Sequence, residues 1–239
     1  MSENNFLPMP EPIPANLLER ASKLNSALLC DGLKGMGVAL DGCMDASIKP
    51  VSTKSSFMVG TAVTVETCDG DNFPIHVATY SAQNAQKGYV MVFDGKGYSK
   101  CAYAGGLIVG AAQAIGYADM VLDGCVRDQV DITELGLPVF SRGYSQGGPT
   151  KKNPGKMNHP ITCAGVSVNP GDLVMGGADG VTVVPRKLIE KVLDKAEEKA
   201  AYEVRREEVI AEYRRASQAG EPLPELAPDW VVEMLAAKQ

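Results

Sequence analysis

The chain has 239 residues, of which 45% are apolar and 22% charged, a composition typical of an ordinary globular protein with a core of its own. Its formal net charge of −6 argues against a nucleic acid as the main partner, because phosphate binding needs a basic surface. A small anionic ligand remains compatible with this charge, since such a ligand needs only local cations.

The N-terminal segment and the cysteines indicate the cellular compartment. Residues 1–14 are acidic and rich in proline, and we expect a flexible arm there. They contain no basic stretch followed by an apolar one, so we expect no signal peptide, and no apolar run reaches the length of a membrane span. The six cysteines are spaced irregularly without a C-x-x-C pair, which predicts reduced, mostly buried thiols. Together these features predict a cytoplasmic protein without membrane contact.

Hydrophobic periodicity predicts alternating helices and strands in the first half of the chain. Apolar residues at helical spacing predict a helix from Pro14 to about Met36, and alternating β-branched residues predict a strand at Met58–Thr67. Pro74 is expected to open a helix through Gln86, since proline is tolerated in a first turn. The next expected elements are a buried strand at Tyr89–Phe93, a helix at Gly105–Ile115 and a buried strand at Met120–Leu122.

The middle of the chain contains a long segment without periodicity. It follows a short helix expected at residues 129–136 and a strand at Pro138–Phe140, and it reads SRGYSQGGPTKKNPGKMNHP. Loops of this length inside compact domains usually carry function or an interaction surface. Strands are then predicted at Ile161–Val168, Asp172–Met175 and Val181–Val184.

The C-terminal part is predicted to be helical. From Arg186 to about Gln218 the apolar spacing predicts one charged helix, which at 1.5 Å per residue spans roughly 50 Å. We expect a helix of this length to lean on a neighbouring subunit, the alternative being a solvated surface helix. A final short helix is expected at Asp229–Ala237. The predicted organisation is thus an arm at 1–14, an α/β domain at 15–185 and a helical extension at 186–239.

The candidate chemistry lies between Tyr89 and Asp128, which reads as strand, loop, helix and strand. Such a crossover makes the two strands parallel, so that their carboxyl ends meet at one edge of the sheet. Asp94-Gly95, Asp123-Gly124 and Arg127-Asp128 follow those ends, and the helix that begins at Gly105 and Gly106 starts at the same edge. Ligands of parallel sheets bind outside the strand carboxyl ends.

These residue types suit a 2-oxo acid. The helix start offers free N–H groups and a positive dipole end, and Arg127 offers a planar fork matched to a carboxylate. Asp128 offers a hard oxygen ligand for Mg²⁺ or Mn²⁺. In this hypothesis the substrate carboxylate binds Arg127 and the N–H groups, and its keto oxygen binds the metal. The alternative is that Arg127 and Asp128 form only a turn with a local ion pair.

The run from Gly105 to Asp128, ending DGCVRD, resembles the RraA-like family, which includes the 4-hydroxy-4-methyl-2-oxoglutarate/4-carboxy-4-hydroxy-2-oxoadipate (HMG-CHA) aldolases. Further segments that match are GTAVTVET with GDNFPIH, VFDGKG, RGYSQGGPTKKNPGKMNHP and NPGDLVMGGADGVTVVP. The resemblance covers roughly residues 25–210. It implies a β/β/α sandwich, homotrimers or homohexamers, and active sites near subunit interfaces.

The resemblance also implies the site residues. Family enzymes carry a metal-bound aspartate, here Asp128, and a carboxylate-binding arginine, here Arg127. They cleave a C–C bond beside a 2-oxo acid, and many also decarboxylate oxaloacetate. We therefore expect Gly105, Gly106, Leu107 and Arg127 to bind the substrate and Mg²⁺ or Mn²⁺ to stabilise a pyruvate enolate together with Arg127.

Two further residues are assigned from the sequence with alternatives left open. Asp123 is a catalytic candidate that would orient Arg127, or else a structural residue at the strand end. Glu203 of the long helix is a candidate contributor to a neighbouring subunit's site.

The sequence departs from the family pattern in two places. Family aldolases have an acidic residue twenty-one positions before the arginine, where this chain has Gly106, which leaves the proton donor and the natural substrate open. The later acidic pattern ends here as Gly176-Gly177-Ala178-Asp179-Gly180, with one acidic position lost.

Other functions are weaker alternatives. Lys96 and Lys100 lie in a polar, glycine-rich loop, a poor environment for the desolvated lysine of a Schiff-base aldolase. Cys125 has no histidine near it in sequence. One branch of the RraA-like family binds and inhibits an endoribonuclease, and that branch departs from the Arg-Asp pair. The presence of both Arg127 and Asp128 favours the enzyme.

Overall fold

The computed structural model describes residues 5–37, 42–68, 70–81 and 88–236. The chain forms two compact units, residues 1–196 and 197–239. The boundary lies eleven residues beyond the one predicted at 185, because the first turns of the long helix belong to the first unit. Ile189, Val192, Leu193 and Ala196 are buried there, and Val192 packs against Gly32 of an N-terminal helix.

Seven α-helices are described. They are α1 (Ala15–Ala21), α2 (Ser26–Lys34), α3 (Phe73–Ser81), α4 (Gly106–Ile115), α5 (Gln129–Leu135), α6 (Ile189–Ala219) and α7 (Asp229–Ala236), with a single 3-10 turn at Arg186–Leu188 before α6. The helix predicted from Pro14 to Met36 is two helices, because Asn25 caps α2 by accepting a hydrogen bond from Leu28 N (2.8 Å). The predicted end of α3, residues 82–86, lies outside the described residues.

Ten strands are described. They are β1 (Lys49–Pro50), β2 (Met58–Glu66), β3 (Tyr89–Ala104), β4 (Asp119–Val126), β5 (Val139–Tyr144), β6 (Lys156–Met157), β7 (Ile161–Cys163), β8 (Val166–Val168), β9 (Leu173–Gly177) and β10 (Gly180–Val184). The prediction of a strand only at Tyr89–Phe93 is too short, because irregular pairing with β4 continues past the glycines, with Tyr98 opposite Gly124 and Ala102 opposite Cys125.

The main sheet has the order β1-β5-β4-β3-β2-β9-β10, with β6 also on β2. Strands β2 to β5 are parallel, and β1, β9 and β10 join antiparallel. Lys49 Nζ in β1 donates to the carbonyl of Asp179, just before β10 (2.6 Å), so the two ends of the sheet approach and nearly close a barrel. Strands β7 and β8 form a separate hairpin.

Both faces of the parallel strands are buried. On β3, Met91 and Phe93 pack into one apolar cluster with α3, α4 and α5, whereas Val90 and Val92 pack into a second cluster with β7 and β8. Continuous apolar runs are typical of parallel strands covered on both sides. The mixed α/β fold with a long C-terminal helix confirms the predicted fold class.

The N-terminal segment makes hydrogen bonds with the first unit from Leu7 to Ile13, and the flexible arm expected at residues 1–14 stays a prediction. Asn158 Nδ2 donates to the carbonyls of Leu7 (3.1 Å) and Pro8 (2.9 Å), and Arg186 donates to those of Glu11 and Pro12. Proline lacks an N–H but keeps its carbonyl, so a proline-rich segment can still be bound through its acceptors. Residues 1–4 of the predicted arm lie outside the described residues.

The cysteines differ in part from the prediction of six reduced thiols. Cys30 and Cys43 form a disulfide with their Cα atoms 6.5 Å apart, although thirteen positions separate them in the sequence. Cys101, Cys125 and Cys163 are buried free thiols, and burial raises the pKa of each. Irregular spacing along the chain therefore did not reveal that one pair meets in the fold.

The second unit consists of the C-terminal part of α6 and α7. The Trp230 ring packs edge-on against Tyr202 (5.9 Å between centroids), and the guanidinium of Arg205 lies 4.2 Å from the Trp230 centroid. Arg206 Nη1 donates to the carbonyl of Leu226 (2.6 Å). Across the described ranges, no helix is both long and apolar enough to cross a bilayer. The expected contact of α6 with a neighbouring subunit stays a prediction.

A buried carboxyl at the start of β4 makes a prediction about stability. Asp119 is 4% exposed, and burial raises its pKa from 3.8 to about 8. The folded protein therefore binds a proton there that the unfolded chain releases, so stability falls as the pH rises from about 4 to about 8. We expect Asp119→Asn to raise the free energy of unfolding relative to the native chain by ~3 kcal/mol more at about pH 8 than at about pH 5. Urea denaturation of both proteins at the two pH values measures this, and an equal difference at both would contradict it.

Candidate active site

The site is built where β4 ends and α4 and α5 begin. Strand β4 ends at Val126, so Arg127 and Asp128 follow it directly, and the Arg127 N–H donates to the carbonyl of Ala104 at the end of β3 (3.0 Å). Helix α4 starts shortly after β3 ends, with Gly105 as its N-cap. The parallel crossover thus brings the Arg-Asp pair to the first turn of α4, as the sequence predicts.

Asp128 occupies a special backbone position between β4 and α5. Its φ of 58° and ψ of 46° are left-handed, a conformation that aspartate adopts more readily than most residues, and it is the N-cap of α5. Its side chain turns towards α4, where Oδ2 accepts a hydrogen bond from the Gly106 N–H (3.1 Å) and lies 3.8 Å from Arg127 Nε. The side chains of Arg127 and Asp128 are 49% and 41% exposed, so both remain open to a ligand.

The two glycines of the α4 start leave room for nearby acidic side chains. A Cβ on Gly105 would overlap Asp128 Oδ2 and lie 3.1 Å from Arg127 Cγ. A Cβ on Gly106 would lie 3.0 Å from Asp131 Cβ and 3.2 Å from Asp131 Oδ2. Asp131 therefore occupies the space beside the position where family aldolases have their acid. Asp131 was not among the residues predicted from the sequence, although its place three residues after Asp128 at the start of a helix puts both on one face.

A cavity of about 340 Å³ opens beside the Arg-Asp pair. It brings together four residues predicted from the sequence, namely Gly105, Leu107, Arg127 and Asp128. Its other polar walls come from distant parts of the chain, and they include Asn72, His76 and Lys151. A second hollow of about 300 Å³ on the Arg127-Asp128 pair is lined by Gln129, Tyr144, Ser145 and Gln146.

The first turn of α4 provides backbone donors at the cavity wall. The Gly106 N–H is used by Asp128, whereas the Leu107 N–H belongs to the same first turn, where the helix itself offers no acceptor. Small anions bind such turns through these N–H groups and the helix dipole. The Leu107 side chain is 92% exposed, so its contribution to binding would come from its backbone and from the rim of the cavity.

Asp123 is placed in a structural network. It is 5% exposed, its Oδ1 is ion-paired with Arg142, and its Oδ2 accepts a hydrogen bond from the Ala164 N–H (2.8 Å). Arg142 Nη1 also donates to Ser47 Oγ (2.6 Å). These contacts attach the β7–β8 hairpin to the main sheet. Of the two roles left open by the sequence, the geometry matches the strand-end role, and Asp123 is not brought to Arg127.

Lys96 and Glu203 also have defined surroundings. Lys96 Nζ forms ion pairs with Asp94 and Glu66, and although burial alone would lower its pKa, hydrogen bonds to these two carboxylates raise it. A protonated, paired lysine is unsuited to Schiff-base chemistry. Glu203 lies in the second unit, 3.7 Å from Lys199 Nζ, and its contribution to a neighbouring subunit's site stays a prediction.

The carboxylate of Asp128, beside the start of α4, has the hard oxygen donors that a magnesium-type ion prefers. Within the described ranges, no three His, Cys, Asp or Glu side chains form a metal cluster, which does not suit zinc. Mg²⁺ usually keeps several waters and takes one or two carboxylates, and Asp128 at the cavity wall is a carboxylate of this kind.

Comparison with known proteins bears on this site. A family model described as "RraA-like: Aldolase/RraA" matches residues 26–183, which include every residue of the cavity. The chain belongs to the RraA-like family. A curated relative from Halalkalibacterium halodurans, named "Putative 4-hydroxy-4-methyl-2-oxoglutarate aldolase", is 40% identical over 183 residues, covering 76% of this chain and 85% of the relative.

Solved structures show the same fold. A crystal structure of an uncharacterized protein from Pseudomonas syringae pv. tomato str. DC3000 has a TM-score of 0.74 and 28% identity, covering 86% of this chain and 93% of that one. RraAS2 of Streptomyces coelicolor, described as an unusual member of the RNase ES inhibitor RraA protein family, has a TM-score of 0.71 and 24% identity, with 81% and 96% covered. The second likeness shows the RraA-like fold alone.

Proposed function

We propose that this RraA-like protein is a divalent-metal-dependent C–C lyase acting on 2-oxo acids, by retro-aldol cleavage that yields pyruvate, by decarboxylation of oxaloacetate, or by both. The observation that carries the proposal is the cavity beside the first turn of α4, where Arg127 and Asp128 line the same space as Leu107 of that turn. The name of the aldolase relative supports the same reaction class.

The chain's own residues have separable tasks in this reaction. The Arg127 guanidinium and the Leu107 N–H bind the substrate carboxylate, because a planar cation and a helix start both favour an anion. Asp128 would hold Mg²⁺ or Mn²⁺. When bound, such an ion supplies Lewis-acid polarisation of the keto oxygen. Binding by these residues fixes the 2-oxo acid with its C3–C4 bond in the cavity.

Cleavage sends the electron pair of the C3–C4 bond into a pyruvate enolate. C4 leaves as CO₂ from oxaloacetate or, in the retro-aldol reaction, as a carbonyl compound after its hydroxyl group has given up its proton. Arg127 stabilises the developing negative charge from a fixed position, which lowers the barrier without reorganisation. Asp131 is the acidic side chain in the space beside Gly106 and is therefore the candidate for the proton transfer that family aldolases assign to an acid at that position. The enolate then gains a proton at C3 and leaves as pyruvate.

The second candidate function is a protein-binding regulator of a ribonuclease, which is the role named for the RNase ES inhibitor family of the Streptomyces protein RraAS2. The Arg-Asp pair beside a cavity favours the lyase. A surface that only binds another protein needs neither a guanidinium placed to bind a carboxylate nor a carboxylate placed to bind a metal ion. We also propose that the ligand is a small 2-oxo acid and that the protein assembles as a homotrimer or homohexamer.

The test is oxaloacetate decarboxylation with Mg²⁺ or Mn²⁺, followed by the same assay with excess chelator, counting pyruvate above the metal-only background. We expect turnover that chelator abolishes and that added metal restores. No turnover with any metal would reject the lyase and leave the regulator as the better function.

A further inference from the structure

The N-terminal strap, residues 6–13, is a part of the first unit that the proposed chemistry does not use. It precedes the residues that the family model matches, which begin at 26. Prolines at positions 8, 10, 12 and 14 fix their own φ and restrict the residue before each of them to an extended backbone. The strap therefore loses little conformational freedom when it binds, which favours the bound state.

Side chains from three distant parts of the chain bind the strap through its carbonyl groups. Tyr89 Oη, at the start of β3, donates to the carbonyl of Pro10 (2.6 Å). Asn158 beyond β6 and Arg186 beyond β10 donate to the carbonyls of residues 7, 8, 11 and 12. Since proline keeps its carbonyl, the alternating prolines leave these acceptors intact. Five carbonyls of the strap thus have a side-chain donor in the first unit.

The strap also lies beside β6, the two-residue strand Lys156–Met157. The Leu7 N–H donates to the carbonyl of Met157 (3.1 Å), and Phe6 forms a parallel bridge with Met157. Val65 of β2 pairs with Met157 antiparallel, so β6 lies between β2 and the strap. The side chains of Phe6 and Met9 pack against the same apolar cluster as Met157. A strand with so few ladder bonds depends on both neighbours for its local stability.

The segment that leads into β6 forms one wall of the cavity beside Arg127. Residues 148, 149 and 151 line that cavity. The buried Asp71, 2% exposed, holds the segment at one point, where its Oδ2 accepts hydrogen bonds from Lys152 N (2.7 Å) and Asn153 N (3.1 Å). Strand β6 and the strap hold it at a second point, only four residues beyond Asn153. Because so few residues separate the two points, a movement of β6 is passed on to the wall.

We propose that the N-terminal strap positions this wall. By binding β6 and Asn158, the strap fixes the end of the segment and keeps residues 148–151 at the cavity. None of residues 6–13 lines the cavity, so the strap acts through the wall and not by contact with a ligand. The inference concerns the wall itself and is independent of which reaction takes place in the cavity.

Hydrogen–deuterium exchange of the full chain, followed by mass spectrometry, tests the positioning. The test variant combines Tyr89→Phe and Arg186→Met, which removes the side-chain donors to three carbonyls of the strap and keeps the apolar part of both side chains. The matched control combines Tyr117→Phe and Lys187→Met. Tyr117 lies in the same apolar cluster as Tyr89, and within the described ranges its buried hydroxyl has no hydrogen-bond partner. Lys187 is the exposed cation next to Arg186.

We expect peptides that cover residues 6–13 and 152–158 to exchange at least ~10-fold faster in the test variant, with β4 unchanged, because the lost bonds open this region locally. The control should exchange like the native chain. Native exchange at 152–158 in the test variant, or equal acceleration in the control, would overturn the inference. If β4 also exchanged faster in the test variant, Arg186→Met alone would decide by the same comparison, since that side chain is exposed.

Steady-state kinetics give a second readout, and this one rests on the proposed function. A displaced wall weakens substrate binding while Arg127 and Asp128 stay in place. The KM for oxaloacetate should therefore rise at least ~5-fold in the test variant, with kcat within ~2-fold of the native value. An unchanged KM together with faster exchange at 152–158 would overturn the positioning of the wall for binding. Absence of turnover in the native protein would reject the lyase alone, and the exchange experiment would still decide the role of the strap.

Discussion

Replacing Asp128 with alanine is expected to lower kcat/KM for oxaloacetate decarboxylation by at least ~100-fold, and Arg127→Ala is expected to do the same. In the proposed reaction Asp128, beside the first turn of α4, would supply the hard oxygen ligand for the metal, and Arg127 would supply the charge that stabilises the enolate. Both side chains are about half exposed, so truncation leaves no buried partner unsatisfied and should preserve the fold. Steady-state kinetics with saturating Mg²⁺ measure the loss.

The matched control for these variants is Glu134→Ala. Glu134 is an exposed acid on the same helix, α5, and it does not line the cavity. Glu134→Ala should keep nearly the full rate. This result would show that the loss of activity in Asp128→Ala comes from the site and not from the removal of one negative charge near α5. Near-native rates in Asp128→Ala or Arg127→Ala would remove those residues from the mechanism.

Gly105→Ala is expected to lower kcat/KM by ~100-fold without adding any new chemical group, because a shift of about 1 Å in a reacting geometry has effects of this size. The added methyl group would overlap Asp128 Oδ2 and lie 3.1 Å from Arg127 Cγ, so both side chains would have to move. Gly105 has φ of −141°, an ordinary extended conformation, so the effect comes from the contact and not from backbone strain.

Gly110→Ala is the control for this second variant. Gly110 lies in the middle of α4, where an added Cβ would meet only the Leu135 methyl groups at 3.7 Å, an ordinary contact. Alanine also favours the helix over glycine by up to about 1 kcal/mol. Gly110→Ala should therefore keep its rate, and its Tm should not fall. If Gly105→Ala also kept its rate, the close approach of the α4 start to Asp128 would have no part in catalysis.

Local patterns predicted most helices and strands of this chain. Continuous apolar runs indicated β3 and β4, and apolar residues at helical spacing indicated α6. Burial of one face or of both faces of an element determines the spacing of apolar residues within a short stretch of sequence. The patterns failed where a polar side chain or a pairing partner decided the outcome. Asn25 caps α2 and so separates it from α1, and the glycine-rich stretch after Phe93 continues as strand because β4 lies beside it.

Some residues of the candidate site could likewise be predicted from the sequence, whereas others needed the structure. Gly105, Leu107, Arg127 and Asp128 come from one crossover of strand, helix and strand, and a crossover has a known handedness and a known edge for ligands. Asp131 needed the structure, since only the space beside Gly106 shows that its carboxylate lies there. The sequence left two roles open for Asp123, and its contacts with Arg142 and Ala164 match the structural one.

By itself, the sequence determined the family, the α/β class and the Arg-Asp pair at the end of β4, because these depend on residues close together in the chain. Only the tertiary structure decided which distant residues complete the cavity. Asn72 and His76 reach it from α3 and the turn before it, and Lys151 reaches it because the buried Asp71 binds the segment on either side. The physical reason is that hydrogen bonds and packing between residues far apart in the chain place these side chains. The spacing of apolar residues along the sequence does not predict such contacts.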